Sequence, residues 1–218
     1  MELVSYFVDL LAHFDQHLRH WLQAHGMWAI AILALIVFAE TGLVFFPFLP
    51  GDSMLFIVGV FCGAGLMDLH LVAPALIAAA IAGDALNYAI GRGCGATLMH
   101  RLPMVRRGHE YTHRWFERHG PRTIVIARFV PVLRTYAPFA AGFGRMDWAL
   151  FTRWNVLGAI LWVGSLTALG WLFGDLPLIR DNLSKAILVI VVVSLLPLVV
   201  SGVSRRAAGK GAQPLKAP

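Results

Sequence analysis

Four ionisable side chains stand out because the sequence around them is apolar: Glu40, Asp52, Arg128 and Arg134. At the centre of a membrane helix an Asp, Lys or Arg costs about 2.5–3.5 kcal/mol. Facing lipid, the four together would cost on the order of 10 kcal/mol. The two acids lie in one apolar segment and the two bases in another, so mutual neutralisation is the expected remedy. The plain reading is an ion-pair network that staples the two segments together. The functional reading is a site, because ionisable groups at membrane depth mark substrate and ion paths. The planar fork of an arginine suits a phosphate. A carboxylate deprived of its partner in a low dielectric takes up a proton readily. An anionic headgroup that engages Arg128 or Arg134 would therefore displace Glu40 or Asp52, and the released acid would protonate. On this reading Arg128 and Arg134 bind phosphate, and Glu40 and Asp52 couple to protons.

Other candidates are weaker. His109 and His113 are four residues apart with Glu117 one turn on, a metal-pair spacing without the H-E-x-x-H signature. An exposed basic helix is the better account of them. Cys62 and Cys94 form no disulfide framework or metal spacing. No P-loop and no nucleophile elbow is present, so neither ATP coupling nor enzymatic activity is expected. No cofactor or metal is implied.

The elements that must position the four charges are membrane elements. The chain has 218 residues, 58% apolar and only 14% charged, against about 45–50% and about 25% in soluble domains. So short a chain cannot hide that excess in a core, whereas a lipid-facing surface can. Residues 71–91, 147–173 and 186–204 read as transmembrane helices, by the requirement for roughly 20 apolar residues. In the first of these, Asp84, Asn87 and Tyr88 share one face, which should look into the protein.

Two further apolar stretches are broken in the middle. Residues 27–66 are interrupted by Pro47, Pro50 and Gly51, and residues 123–144 by Pro131 and Pro138. In the first stretch the pieces 27–39 and 53–66 are short for a span and suit half-helices. Pro47-x-x-Pro50 resembles Pro131-x-x-Arg134, but the spacing to the following glycine differs by one residue, so the inverted repeat is weak. Paired interrupted segments point to a transporter site, since broken backbone at membrane depth survives only inside protein or beside a water-filled cavity. Pro47, Pro50, Asp84, Asn87, Pro131 and Tyr136 stand as supporting residues.

The expected architecture is an all-α integral membrane protein. It has two opposed re-entrant helical hairpins, about three transmembrane helices, and amphipathic interfacial helices at 3–22 and 104–119. Residues 1–204 form one domain, and 205–218 a basic disordered tail. The start lacks the positive region of a cleavable signal peptide. Net charge is +6, and its Lys/Arg excess lies in 92–122 and after 204. The positive-inside rule explains this better than nucleic-acid binding and puts both regions in the cytoplasm. The loop Asp175–Ser184 is then external. Gly59-x-x-x-Gly63, Gly91-x-x-x-Gly95 and Gly170-x-x-x-Gly174 allow close helix packing and leave homo-oligomerisation open.

At three long motifs the sequence resembles the DedA family, also called the SNARE-associated or VTT-domain family. They are Glu40-Thr-Gly-Leu-Val through Pro47-Phe-Leu-Pro50-Gly51-Asp52-Ser53, Gly83-Asp84-Ala-Leu-Asn87-Tyr88-Ala-Ile-Gly91-Arg92, and Ala127-Arg128-Phe-Val-Pro131-Val-Leu-Arg134-Thr-Tyr-Ala-Pro138-Phe-Ala-Ala-Gly142. The resemblance covers nearly the whole chain. It implies two opposed re-entrant loops, a bacterial inner-membrane location, envelope maintenance and dependence on the proton gradient. The family's essential acids correspond to Glu40 and Asp52, and its essential arginines to Arg128 and Arg134. Some members recycle undecaprenyl phosphate, and eukaryotic relatives scramble phospholipids. Three readings follow: a proton-coupled flippase of a polyprenyl phosphate, a proton-coupled antiporter of small ions or drugs, or a structural envelope protein. A lipid phosphatase ranks last.

Overall fold

The structure, a computed structural model, describes residues 14–42, 51–101, 103–174 and 176. The regular elements among them are all helical. They are α1 (Phe14–Gly42), α2 (Gly51–Gly63), α3 (Leu69–Arg101), α4 (Pro103–His119), a 3-10 turn at Gly120–Arg122, α5 (Thr123–Ala127), α6 (Pro131–Phe143) and α7 (Trp148–Gly174). The expected 186–204 span, the 175–184 loop apart from Leu176, the basic tail, the first part of the 3–22 helix, and Pro47 and Pro50 lie outside the described residues.

Two of these helices are long and apolar enough to cross a bilayer, Leu69–His100 and Trp148–Gly174, with mean hydropathy 1.8 and 1.9. Much of their apolar surface faces outward. On α7 alone Leu157, Ile160, Leu161, Leu169, Leu172 and Phe173 are exposed. An apolar surface of that extent belongs against lipid.

Two boundaries differ from the sequence reading. The helix expected to end near residue 22 and the half-helix expected from residue 27 are one element, α1, 29 residues long. Gly26 lies at the junction, and a lone glycine costs only about 1 kcal/mol against alanine, too little to stop a helix without a proline. The span expected over 71–91 continues as α3 to Arg101. Gly91 and Gly95 do not end it because they serve its packing. A Cβ at Gly91 would run into the Phe139 backbone and one at Gly95 into the Phe143 ring. Gly142 of α6 returns the contact against the Tyr88 backbone. Gly59, Gly170 and Gly174 bring α2 and α7 together in the same way.

The break in the second interrupted segment follows from its proline. Val130 is extended, with φ −118° and ψ 110°, and Pro131 opens α6. The residue before a proline is excluded from the helical region, while the proline itself is well suited to a first helical position. Arg128 is thereby left at the end of α5 and Arg134 in the first turn of α6.

Around these breaks the helices pair in a crossed pattern. α1 packs on α3 and α2 on α7, whereas α5 packs on α7 and α6 on α3. The core between α1, α2, α3 and α7 is built on Val37, Leu55, Val58, Leu76, Ala80 and Trp162. A second cluster under α5 and α6 holds Tyr88, Ile124, Leu133 and Phe151. Amphipathic α4 buries Val105, Gly108, His109 and Thr112, the spacing of one helical face. The missing side chain at Gly108 admits the ring of Tyr136.

Candidate functional site

The four charges converge on the ends of the short helices, but they pair unequally. Arg134 takes both acids of the first segment. Its Nη1 donates to Asp52 Oδ1 at 2.9 Å, and its Nη2 donates to Glu40 Oε1. Glu40 is buried near the end of α1, while Asp52 sits in the first turn of α2, where the helix dipole favours a negative charge. Gly51 makes this possible, because any Cβ there would collide with the Glu40 carboxylate.

Arg128 is held elsewhere. Its Nη2 donates to Asp84 Oδ2 at 2.5 Å and to Asn155 Oδ1 at 2.7 Å. Asn155 Nδ2 in turn donates to the Ile81 carbonyl at 3.1 Å. Arg128, Asp84 and Asn155 are all buried. Gly158 leaves room for the arginine stem, with Arg128 Cδ 3.0 Å from where a Cβ would stand. The expected neutralisation of both arginines by Glu40 and Asp52 is therefore corrected: the acid that answers Arg128 is Asp84. The reason is the crossed packing: α5 lies on α7, so Arg128 at its end reaches Asn155 of α7 and Asp84 of α3, while Arg134 in the first turn of α6 reaches Glu40 of α1 and Asp52 of α2.

Asn87 ties the site together. Its Nδ2 donates to the carbonyls of Thr41 and Thr135, at 3.1 and 3.0 Å, so α3 holds α1 and α6 through one amide. Tyr136 is not part of the site. It packs with Val105 and Phe139 under α4.

Trp162 of α7 was not singled out by the sequence. The guanidinium carbons of Arg128 and Arg134 lie 5.7 and 5.8 Å from its ring centre. Its Nε1 donates to Asp52 Oδ1 at 2.8 Å. Nothing in an uninterrupted apolar run marks one tryptophan as special. Asn155 had a signal, as a lone amide in that run, and it went unread.

Between the two ion pairs lies a cavity of about 20 Å³ lined by Glu40, Thr41, Asp84, Arg128, Arg134, Thr135 and Trp162. That is room for about one water. Glu40 Oε2 and Arg128 Nε are buried without a hydrogen-bond partner among the described residues, which suits a polar occupant.

The histidine rings of α4 meet edge-to-face at 5.9 Å and have different further neighbours. His109 meets the Phe143 ring edge-to-face at 5.0 Å, and exposed His113 lies 3.6 Å from Glu117. Burial, and then the nearby His113, hold the His109 imidazole below its ordinary pKa. Among the described residues no three His, Cys, Asp or Glu side chains are grouped to hold a metal.

Comparison with known proteins gives the lineage. The VTT domain model matches residues 49–172. Protein DedA of Escherichia coli K12 is 44% identical over 98% of this chain and 100% of its own length. An uncharacterized membrane protein of Mycobacterium leprae is 38% identical over 83% of this chain and 84% of its own. Inner membrane protein YqjA of Escherichia coli K12 is 34% identical over 75% of this chain and 77% of its own. No solved structure matches. Membrane helices, three ordered motifs and these relatives agree: the chain belongs to the VTT-domain family of DedA membrane proteins.

Proposed function

We propose that this protein is an inner-membrane transporter that moves an anionic lipid, a polyprenyl phosphate such as undecaprenyl phosphate, across the bilayer in exchange for protons and so supports envelope maintenance. The observation that carries the reading is the arrangement at Arg134, a guanidinium gripped at once by Glu40 and Asp52. A phosphate offers the same fork-to-oxygen geometry that the two acids now satisfy. If it takes the guanidinium, both acids lose their ion-pair partner together, Asp52 keeping the Trp162 N–H. Among the described residues the site, with Asp84, counts three carboxylates against two guanidiniums. One proton brings that set of five side chains to neutrality, which gives coupling an electrostatic basis. In this reading α1–α2 and α5–α6 are re-entrant hairpins entering from opposite faces, with α3 and α7 as two of the spans.

The small size of the cavity supports a second reading, a proton-coupled antiporter of small ions. A space of about 20 Å³ admits a water-sized species without rearrangement, while a headgroup must part the ion pairs first. The experiment that separates the two is reconstitution into liposomes with labelled polyprenyl phosphate, with and without an imposed proton gradient. Gradient-dependent lipid movement supports the first reading. Gradient-dependent cation or drug flux with static lipid supports the second. Neither flux in folded protein would leave a structural envelope role.

A further inference from the structure

Away from the buried site, a second basic feature opens on the surface where α3 meets the start of α7. It is a groove of about 530 Å³ lined by Tyr88, Ala89, Arg92, Gly93 and Trp148. We propose that this groove binds the phosphodiester headgroup of an anionic membrane lipid, with Arg92 as its phosphate ligand. The inference needs only the membrane location and does not depend on the transport reading.

Depth is the first argument. Asp68 and His70 mark one polar end of α3, where Asp68 Oδ1 accepts the His70 N–H at 2.8 Å. A hydrocarbon core of about 30 Å corresponds to about 20 residues at 1.5 Å each. Counted from Leu71, it ends near Ile90 and Gly91. Asp84 is buried against Arg128, so Arg92 is the first charged side chain of α3 to emerge at headgroup level. Trp148 stands at the same depth, with its ring 5.2 Å from that of Tyr88, and tryptophan favours that interfacial layer.

Preorganisation is the second. Arg92 Nη1 donates to the Tyr88 hydroxyl at 2.8 Å, and that hydroxyl donates to the Met146 carbonyl. The guanidinium is thus fixed by a tyrosine that is itself fixed. Among the described residues it has no carboxylate within ion-pair distance, unlike Arg128 and Arg134. The rest of its donor fork is free to meet two phosphate oxygens.

The apolar lining separates a lipid from a free anion. Ala89 lines the groove, and exposed Leu86 lies one turn before it on α3, toward the bilayer interior. A headgroup at Arg92 would lay an acyl chain there, whereas inorganic phosphate would leave that apolar strip unused. Basic pockets between membrane helices are suited to such headgroups.

The test uses the full chain purified in detergent. Phosphatidylglycerol is titrated in, and bound lipid is read by native mass spectrometry. Arg92→Gln should weaken binding roughly fivefold, as expected for one interfacial arginine. Ala89→Phe fills the groove without touching a charge and should weaken it comparably. Arg106→Gln, at an exposed residue paired with Glu110, should leave binding unchanged. Thermal melting without added lipid checks that each variant is folded, and binding is compared among folded ones. Parental affinity in Arg92→Gln or in Ala89→Phe would overturn the assignment. So would an equal loss in Arg106→Gln, which means diffuse charge attraction. Displacement of the lipid by inorganic phosphate at matched concentration would make the groove a free-anion site and also defeat the proposal.

Discussion

The indole N–H of Trp162 donates to the same Asp52 oxygen that receives Arg134 Nη1, at 2.8 Å. One carboxylate oxygen therefore joins α2, α6 and α7. The tryptophan ring also stands beside both guanidiniums, so it touches each ion pair without belonging to either.

Trp162→Phe should separate these two roles. Phenylalanine keeps a ring beside the arginines but loses the donor to Asp52. Loss of a hydrogen bond to a charged acceptor is worth about 1.5–3 kcal/mol when buried, and Asp52 is half-exposed, so about 1 kcal/mol is expected in melting. Trp162→Leu removes ring and donor, leaves a gap in the core, and should cost several-fold more by the usual scale for large core truncations of about 3–5 kcal/mol. Thermal unfolding in detergent reads both. Equal melting of Phe and Leu variants would show that the ring contributes nothing.

Arg134→Lys should be poorly tolerated although it keeps the charge. The guanidinium reaches Glu40 and Asp52 through different nitrogens, while an ammonium is a single, strongly hydrated point. At equal membrane levels, transport of labelled polyprenyl phosphate should fall at least about tenfold, the scale of one charge-assisted hydrogen bond. Near-parental transport by Lys together with loss in Arg134→Ala would show that only a positive charge is needed. The phosphate-fork reading would then fail.

Asp84→Asn should be among the most destabilising polar changes in the protein. It leaves the buried Arg128 without its acid, and breaking a buried pair on one side costs about 3–5 kcal/mol. Arg128→Met in the same chain should restore much of that loss, because an apolar pair of similar volume is tolerated where a lone charge is not. A melting cycle over the four variants tests this. Additive single effects would mean that the 2.5 Å contact carries no coupling.

Glu40→Gln and Asp52→Asn should leave folded protein in the membrane but uncouple transport from the proton gradient. An amide keeps shape and hydrogen bonds while losing the ability to change charge. Unaltered gradient dependence in both variants would remove these acids from coupling.

For orientation, the measurement is thiol labelling from outside intact cells. Arg107→Cys is made in a Cys94→Ser background, because Cys94 is exposed. The basic stretch 92–122 should be cytoplasmic by its Lys/Arg excess, so position 107 should resist an impermeant reagent. Strong labelling would invert the topology.

What the sequence made legible follows from what each signal depends on. The break at Pro131 was readable because it is local: a proline constrains itself and the residue before it. The inward face of Asp84 and Asn87 was readable from helical spacing alone. The pairing of Arg128 with Asp84 was not, because it depends on α5 lying against α7 and on Arg128 reaching across to α3, and no residue near Arg128 encodes that. Trp162 was hidden by its setting, since an aromatic in a spanning run is ordinarily lipid-facing or core. The continuity of α1 was missed because Gly26 and the change to apolar sequence at Met27 resemble a boundary, while the helix needs only the absence of a proline.

The crossed pairing of the short helices has a consequence for how such a molecule would work. α1 and α2 brace on α3 and α7 in one order, and α5 and α6 brace on the same two helices in the other. The scaffold is therefore shared, and each half is the other's counterweight. Releasing α2 from the glycine seam at Gly170 and Gly174 has a matching move in releasing α6 from the seam at Gly91. A transporter built this way needs one gate design used twice, once in each half. Its inward-open and outward-open forms would be near-copies with the halves exchanging roles, and the bias between them would rest on the few residues that differ between the two seams.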